Sequence, residues 1–148
     1  MEIRRVTQRW ELAAVHYLRV EVALSLGIPL DGEIDEKEGD RVDYLLITDG
    51  GRPLATGRLR HLDGQAKFER ITVASTQQRQ GHGSRLILAL EDWAHELGYR
   101  EAVITSKAEA EDFYLRLGYV RDGDVVHGGR FSLVRVTKAL GTPAAPAA

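Results

Sequence analysis

The chain has 148 residues, 43% hydrophobic and 28% charged, which suits one domain with a real core and hardly two. Its formal net charge of -2 offers no global attraction to nucleic acid or an anionic membrane, and no apolar run approaches the roughly 20 residues that span a bilayer. There is no cysteine, which excludes disulfides, thiolate metal sites and an acyl-cysteine mechanism, and the opening Met1-Glu2-Ile3-Arg4-Arg5 lacks an apolar export segment, so the cytoplasm is the expected compartment.

Glu2 to Val6 reads as a short strand. From Trp10 the pattern turns helical: Ala14, Tyr17, Leu18 and Val22 share a face, Thr7 can cap the start, and Gly27 with Pro29 ends it. Asp31 to Asp40 is acidic. Asp31, Glu33 and Asp35 alternate as in a calcium loop, but Glu36 stands where glycine is needed and no closing glutamate follows, so a solvated loop is expected. Asp43 to Thr48 and Pro53 to Leu62 form two strands about the turn Asp49-Gly50-Gly51. After a further turn at His61 to Gly64, Ala66 to Val73 is the next strand, rich in β-branched residues at its end.

A polar loop then leads through Gln78 and Arg79 to Gln80-Gly81-His82-Gly83-Ser84. Leu86, Leu90, Trp93 and Leu97 recur at helical spacing, and Gly98 stops the helix. Glu101 to Thr105 is a short buried strand. Ser106-Lys107-Ala108-Glu109 matches a capping box that opens a second helix, with Ala110, Phe113, Tyr114 and Leu117 on its apolar face and Gly118 at its end. Tyr119 to Val126 and Phe131 to Lys138, about the turn His127-Gly128-Gly129, complete the sheet. Residues 1–140 are expected to form a single domain, and the tail over 141–148 to be disordered.

A strand feeding a glycine turn that opens a helix is a phosphate-binding geometry: small residues let main-chain N–H groups approach, and the helix end adds about half a positive charge. A Walker loop is absent. A dinucleotide fingerprint fails because Leu86 stands where its third glycine or alanine belongs. The run from Gln78 to Gly83 does match Gln/Arg-x-x-Gly-x-Gly/Ala, the pyrophosphate signature of the GNAT acyltransferases. With the preceding Phe68-Glu69-Arg70-Ile71-Thr72-Val73, the later Ala110-x-x-Phe113-Tyr114-x-x-x-Gly118-Tyr119 and the element order, the chain resembles that superfamily from Met1 to about Leu140. Gly57-Arg58-Leu59-Arg60 and Glu33-x-Asp35 look like its small bacterial ElaA-like branch. Val22-Ala23-Leu24-Ser25-Leu26, Thr105, Lys107 and Gly129-Arg130-Phe131-Ser132 depart from that branch where an acceptor pocket would form, so the acceptor does not carry over.

The resemblance implies a mixed α+β fold, a mostly antiparallel twisted sheet flanked by helices with one splayed parallel pair. It implies acetyl-CoA as acyl donor without a metal, and an amine acceptor, small molecule or peptide, acylated by direct attack in a ternary complex, with a homodimer as one assembly. Ile71, Thr72, Val73, Thr105 and Phe113 would border the pantetheine arm, and Gln78, Arg79, Gln80, Gly81, His82, Gly83 and Ser84 the pyrophosphate, with His82 contributing its backbone and Arg85 a further charge. Tyr114 would be the general acid for the leaving thiolate, or else a packing aromatic. An amine with a pKa of about 10.4 must lose a proton, and Glu69 is either the base that takes it or an ion-pair partner of Arg58, Arg60 or Arg70. Strand alternation puts Glu69, Ile71 and Val73 on one face. His16, His61, His95 and His127 are scattered without metal spacing. A non-catalytic acyl-CoA-binding sensor or partner module is the alternative.

Overall fold

The computed structural model describes residues 1–141, and of the tail expected to be disordered over 141–148 all but Gly141 lies outside the described residues. In chain order the elements are β1 (Glu2–Arg5), α1 (Arg9–Ser25), β2 (Val42–Asp49), β3 (Arg52–His61), β4 (Ala66–Val73), α2 (His82–Glu96), β5 (Glu101–Lys107), α3 (Glu111–Arg116), β6 (Val120–Arg121), β7 (Val126–Gly128) and β8 (Phe131–Ala139). They build one sheet in the order β1-β2-β3-β4-β5-β8-β6, with β7 on β8. Every pairing is antiparallel except β4 with β5. The β2–β3 hairpin turns on Gly50 and Gly51, whose φ values of 58° and 81° suit the left-handed positions of a tight two-residue loop.

The period-2 pattern of β2 sorts two cores. Leu45 and Ile47 pack with Phe68, Leu86, Leu90, Trp93 and Tyr114 beneath α2 and α3, while Tyr44 and Leu46 pack with Val15 and Leu18 of α1 on the other face.

β4 and β5 pair only at Ala66–Ala102 and Lys67–Val103, and then part. On its other side β4 carries a bulge: Arg58 opposes Glu69 and Thr56 opposes Thr72, so Gly57 alone faces Arg70 and Ile71. Arg70 takes φ 51°, unusual for a side chain that is not glycine. A Cβ on Gly57 would stand 2.9 Å from Ile71 Cδ1 and 3.1 Å from Leu90 Cδ1, so the bulge folds Ile71 into space that only glycine leaves.

Several local expectations give way. Thr7 is not the cap of α1; Glu11 reaches back, and its Oε1 accepts the N–H groups of Thr7 and Gln8, each at 2.9 Å. The buried stripe of α1 is Glu11, Val15, Leu18, Arg19 and Ala23, whereas Tyr17 is 59% exposed, because two of the inward positions are charged. Leu97 caps α2 from outside and is exposed, and Tyr99 N–H closes that end on the Ala94 carbonyl. Ser106 does not cap α3: it lies within β5, donates to the Lys107 carbonyl, and a single 3₁₀ turn over Ala108–Ala110 precedes the helix. The strand expected over Tyr119 to Val126 divides into β6 and β7, and the last turn falls at Gly129, φ 59°.

Candidate active site

Divergence of β4 from β5 opens a cleft of about 660 Å³. Ile71, Thr72, Val73, Gln78, Thr105 and Tyr114 line it, six of the residues singled out in the sequence. Past Lys67 the two strands no longer share a ladder, so the facing main-chain edges of Phe68–Val73 and Ile104–Lys107 are left to bond something else. The bulge further takes Arg70 and Ile71 out of register with β3.

Gln78 both lines the cleft and braces the turn that follows, donating to the carbonyls of Val73 at 2.6 Å and Ala74 at 3.4 Å. Arg79 and Gly81 then take φ 62° and 81°, and α2 starts at His82. Its first backbone bond runs from Arg85 N–H to the Gly81 carbonyl, and no side chain caps it, so the leading N–H groups keep their donor capacity. A Cβ on Gly81 would meet nothing within 4 Å, so the approach to those groups is open. Gly83 lies against Phe113, whose ring tip would stand 3.4 Å from a Cβ there. Arg79, Gln80, Gly81, His82, Gly83, Ser84 and Phe113 thus belong to the turn and its support, not to the cleft wall. The His82 ring is buried, with Nδ1 3.2 Å from Arg85 Nη1; burial and the Arg85 charge push its pKa down, and its Nε2 has no partner among the described residues.

Tyr114 and Phe113, adjacent on α3, diverge: Phe113 props α2 at Gly83, while Tyr114 lines the cleft. Tyr114 is 8% exposed, its ring edge-on to Phe113 at 5.0 Å and tilted against Tyr119 at 6.0 Å. Among the described residues its hydroxyl has no hydrogen-bond partner, and burial raises its pKa, so the phenol keeps its proton at neutral pH.

Glu69 does not line the cleft. The bulge breaks the expected alternation: Ile71 and Val73 turn to the core under α2, while Glu69 turns toward the arginines of β3. Its Oε1 accepts from Arg58 Nε at 3.0 Å and Arg60 Nε at 2.7 Å, with Lys67 Nζ 3.6 Å from Oε2.

The acidic loop, expected to be solvated, is instead tied down. Arg58, 2% exposed, donates Nη1 to Asp35 at 2.8 Å and to Glu36 at 3.0 Å; Arg19 from α1 bonds Glu36, Asp35 and the Glu33 carbonyl; Arg70 meets Asp35 at 2.9 Å. Hydrogen bonds from Arg58 hold Asp35 far below the usual carboxylate range. Burial alone would raise Glu36, but Arg19 and Tyr44 overcome it and set it at about 2. Burial works against the Arg58 charge too, and its carboxylate partners win, keeping it firmly protonated. This network brings Arg19, Glu33 and Arg70 onto the cleft wall, joined from the other side by Lys107 and Phe131. Sequence reasoning singled out Lys107 and Phe131 but missed the ion network; its signal was arginines on β3 and β4 matching carboxylates some twenty to forty residues upstream.

The family model of the acetyltransferase (GNAT) family matches residues 10–119. An uncharacterised N-acetyltransferase of Bacillus subtilis (strain 168), YjcF, is 33% identical over 110 residues, 74% of this chain and 78% of that protein. The crystal structure of a provisionally assigned N-acetyltransferase from Lactobacillus plantarum superposes with a TM-score of 0.86 at 26% identity, over 94% of this chain and 97% of that one. Escherichia coli ElaA shares the fold, with a TM-score of 0.76 at 18% identity over 93% and 98%. The chain belongs to the acetyltransferase (GNAT) family, enzymes that take their acyl group from acetyl-CoA.

Proposed function

We propose that this protein transfers the acetyl group of acetyl-CoA to the nitrogen of an amine by direct attack, donor and acceptor bound together. The observation that carries this reading is the Tyr114 phenol, mostly buried on the cleft wall at the splay, with its hydroxyl without a hydrogen-bond partner among the described residues. A phenol that opens on the cleft with no bond to make inside the protein is a donor free for a ligand.

Acetyl-CoA supplies an activated thioester, and the residues present fit it. The uncapped start of α2 at Gly81–Ser84 holds the pyrophosphate, with Arg79 and Arg85 adding charge. The open edges of Ile71–Val73 and Thr105 take the amides of the pantetheine arm. A main-chain N–H freed by the bulge near Ile71 receives the negative charge that grows on the thioester oxygen. As the C–N bond forms and the C–S bond breaks, the attacking nitrogen gives up its proton to water in the open cleft, Tyr114 gives its proton to the leaving sulfur, and the phenol is reprotonated from that water. Glu69, held by three cations, acts by fixing Arg58 and the loop above it rather than as the base. No helix among the described residues is long and apolar enough to cross a membrane.

The test is release of free thiol from acetyl-CoA across a panel of amines. Amine-dependent release supports the enzyme. Saturable acetyl-CoA binding with no release on any amine supports a sensor module instead.

A further inference from the structure

The cleft wall carries charges of both signs, and all but one are matched among the described residues. Arg70 meets Asp35 at 2.9 Å and Glu33 at 3.4 Å, and Arg19 is enclosed by Asp35 and Glu36. Lys107 is different. No carboxylate among the described residues pairs with it, and its Nζ rests 4.2 Å from the centroid of the Phe131 ring. Ile104 and Ser106 are buried on the α2 and α3 side of β5, so alternation turns Thr105 and Lys107, both exposed, to the face that carries α1. Glu33 stands on that same wall with its side chain 16% exposed, held from one side by Arg70.

We propose that the acceptor is an amine that also bears an anionic group, a carboxylate or a phosphate, with Lys107 receiving the anion and Glu33 drawing in the ammonium end, which sheds its proton to cleft water before attack. The proposal rests on the acyl-transfer reading and gives it a substrate class. A cation held only by an aromatic face keeps its three donors free for an incoming oxyanion, and a charge-assisted bond is stronger than the ring contact. A carboxylate on the same wall fixes the opposite end, so the two charges orient the acceptor as well as select it. The neighbouring Arg19 and Arg70 are already paired with carboxylates, so their charge is offset where that of Lys107 is not.

The experiment measures initial rates at saturating acetyl-CoA for matched acceptors: free amino acids beside their carboxamides, and aminoalkyl phosphates beside the corresponding amino alcohols. An anionic member is expected to exceed its neutral counterpart by about tenfold or more in kcat/KM, and the responding pair tells carboxylate from phosphate. Lys107→Met is expected to collapse that ratio toward one, with the loss on KM, and Lys107→Arg to restore it. Equal use of both members, preference for the neutral ones, or a ratio indifferent to Lys107→Met overturns the proposal and leaves acyl transfer standing. If no acceptor is turned over while acetyl-CoA binds, the acyl-transfer reading falls and the acceptor assignment with it.

Discussion

Tyr114→Phe removes one oxygen from the cleft wall and leaves the ring. Because the hydroxyl has no partner among the described residues, no internal hydrogen bond is lost, and the contacts to Phe113 at 5.0 Å and Tyr119 at 6.0 Å persist. The unfolding midpoint should therefore stay where it is, in contrast to the cost of about 1 kcal/mol for deleting a bonded hydroxyl. Turnover should behave otherwise. A general acid contributes about 10²–10⁴-fold, or roughly 3–5 kcal/mol of barrier at about 1.36 kcal/mol per tenfold. The drop should appear in kcat at saturating acetyl-CoA and acceptor, with acetyl-CoA affinity by calorimetry little changed. Burial keeps the phenol protonated well above neutrality, so the defect should persist across the neutral range. Unchanged turnover, or a lowered midpoint with turnover intact per folded molecule, would refute the reasoning and make Tyr114 a packing aromatic.

Gly81→Val puts a branched side chain into the open space over the α2 N-terminus at φ 81°, so acetyl-CoA affinity should fall at least about tenfold in a folded variant; calorimetry showing wild-type affinity removes the turn from the binding site. Glu69→Gln takes a charge away from Arg58, Arg60 and Lys67, and the expected result is a loss of roughly 1–3 kcal/mol of stability with turnover per folded molecule preserved. A fall in turnover near neutral pH at unchanged stability would instead make Glu69 the base. Asp35 and Glu36 have folded pKa values below their usual 3.8 and 4.5, so their contribution is complete above about pH 4.5 and is lost as pH falls toward 2 and beyond. Denaturant midpoints across that window should decline, and Arg58→Met should flatten the slope; a midpoint level from pH 5 to pH 2 contradicts the ion network.

What the sequence made legible followed from local signals that agree with one another. The glycine turn of the β2–β3 hairpin, the α2 face of Leu86, Leu90 and Trp93, and the Gly98 stop each rest on a few neighbouring residues. The family signature at Gln78–Gly83 likewise needs only its own spacing. What stayed hidden depends on residues far apart in the chain. The β4 bulge, which sends Glu69 away from Ile71, arises where Gly57 of β3 opposes two residues, and nothing within Ala66–Val73 announces it. The acidic loop looked solvated because its partners, Arg19, Arg58 and Arg70, lie on three other elements. For the same reason α1 appeared to bury Tyr17, when the inward positions are held by Glu11 and Arg19 with partners of their own. The part of the cleft wall formed by Glu33, Lys107 and Phe131 comes together only once distant segments of the chain have packed.

Thiol release from acetyl-CoA, followed with and without primary amines and matched to the acetylated amine by mass, tests the central claim most directly. The account predicts release that requires an amine, saturates in both substrates and yields one acetylated nitrogen per thiol. Tight binding of acetyl-CoA with no amine-dependent release across the panel would contradict it.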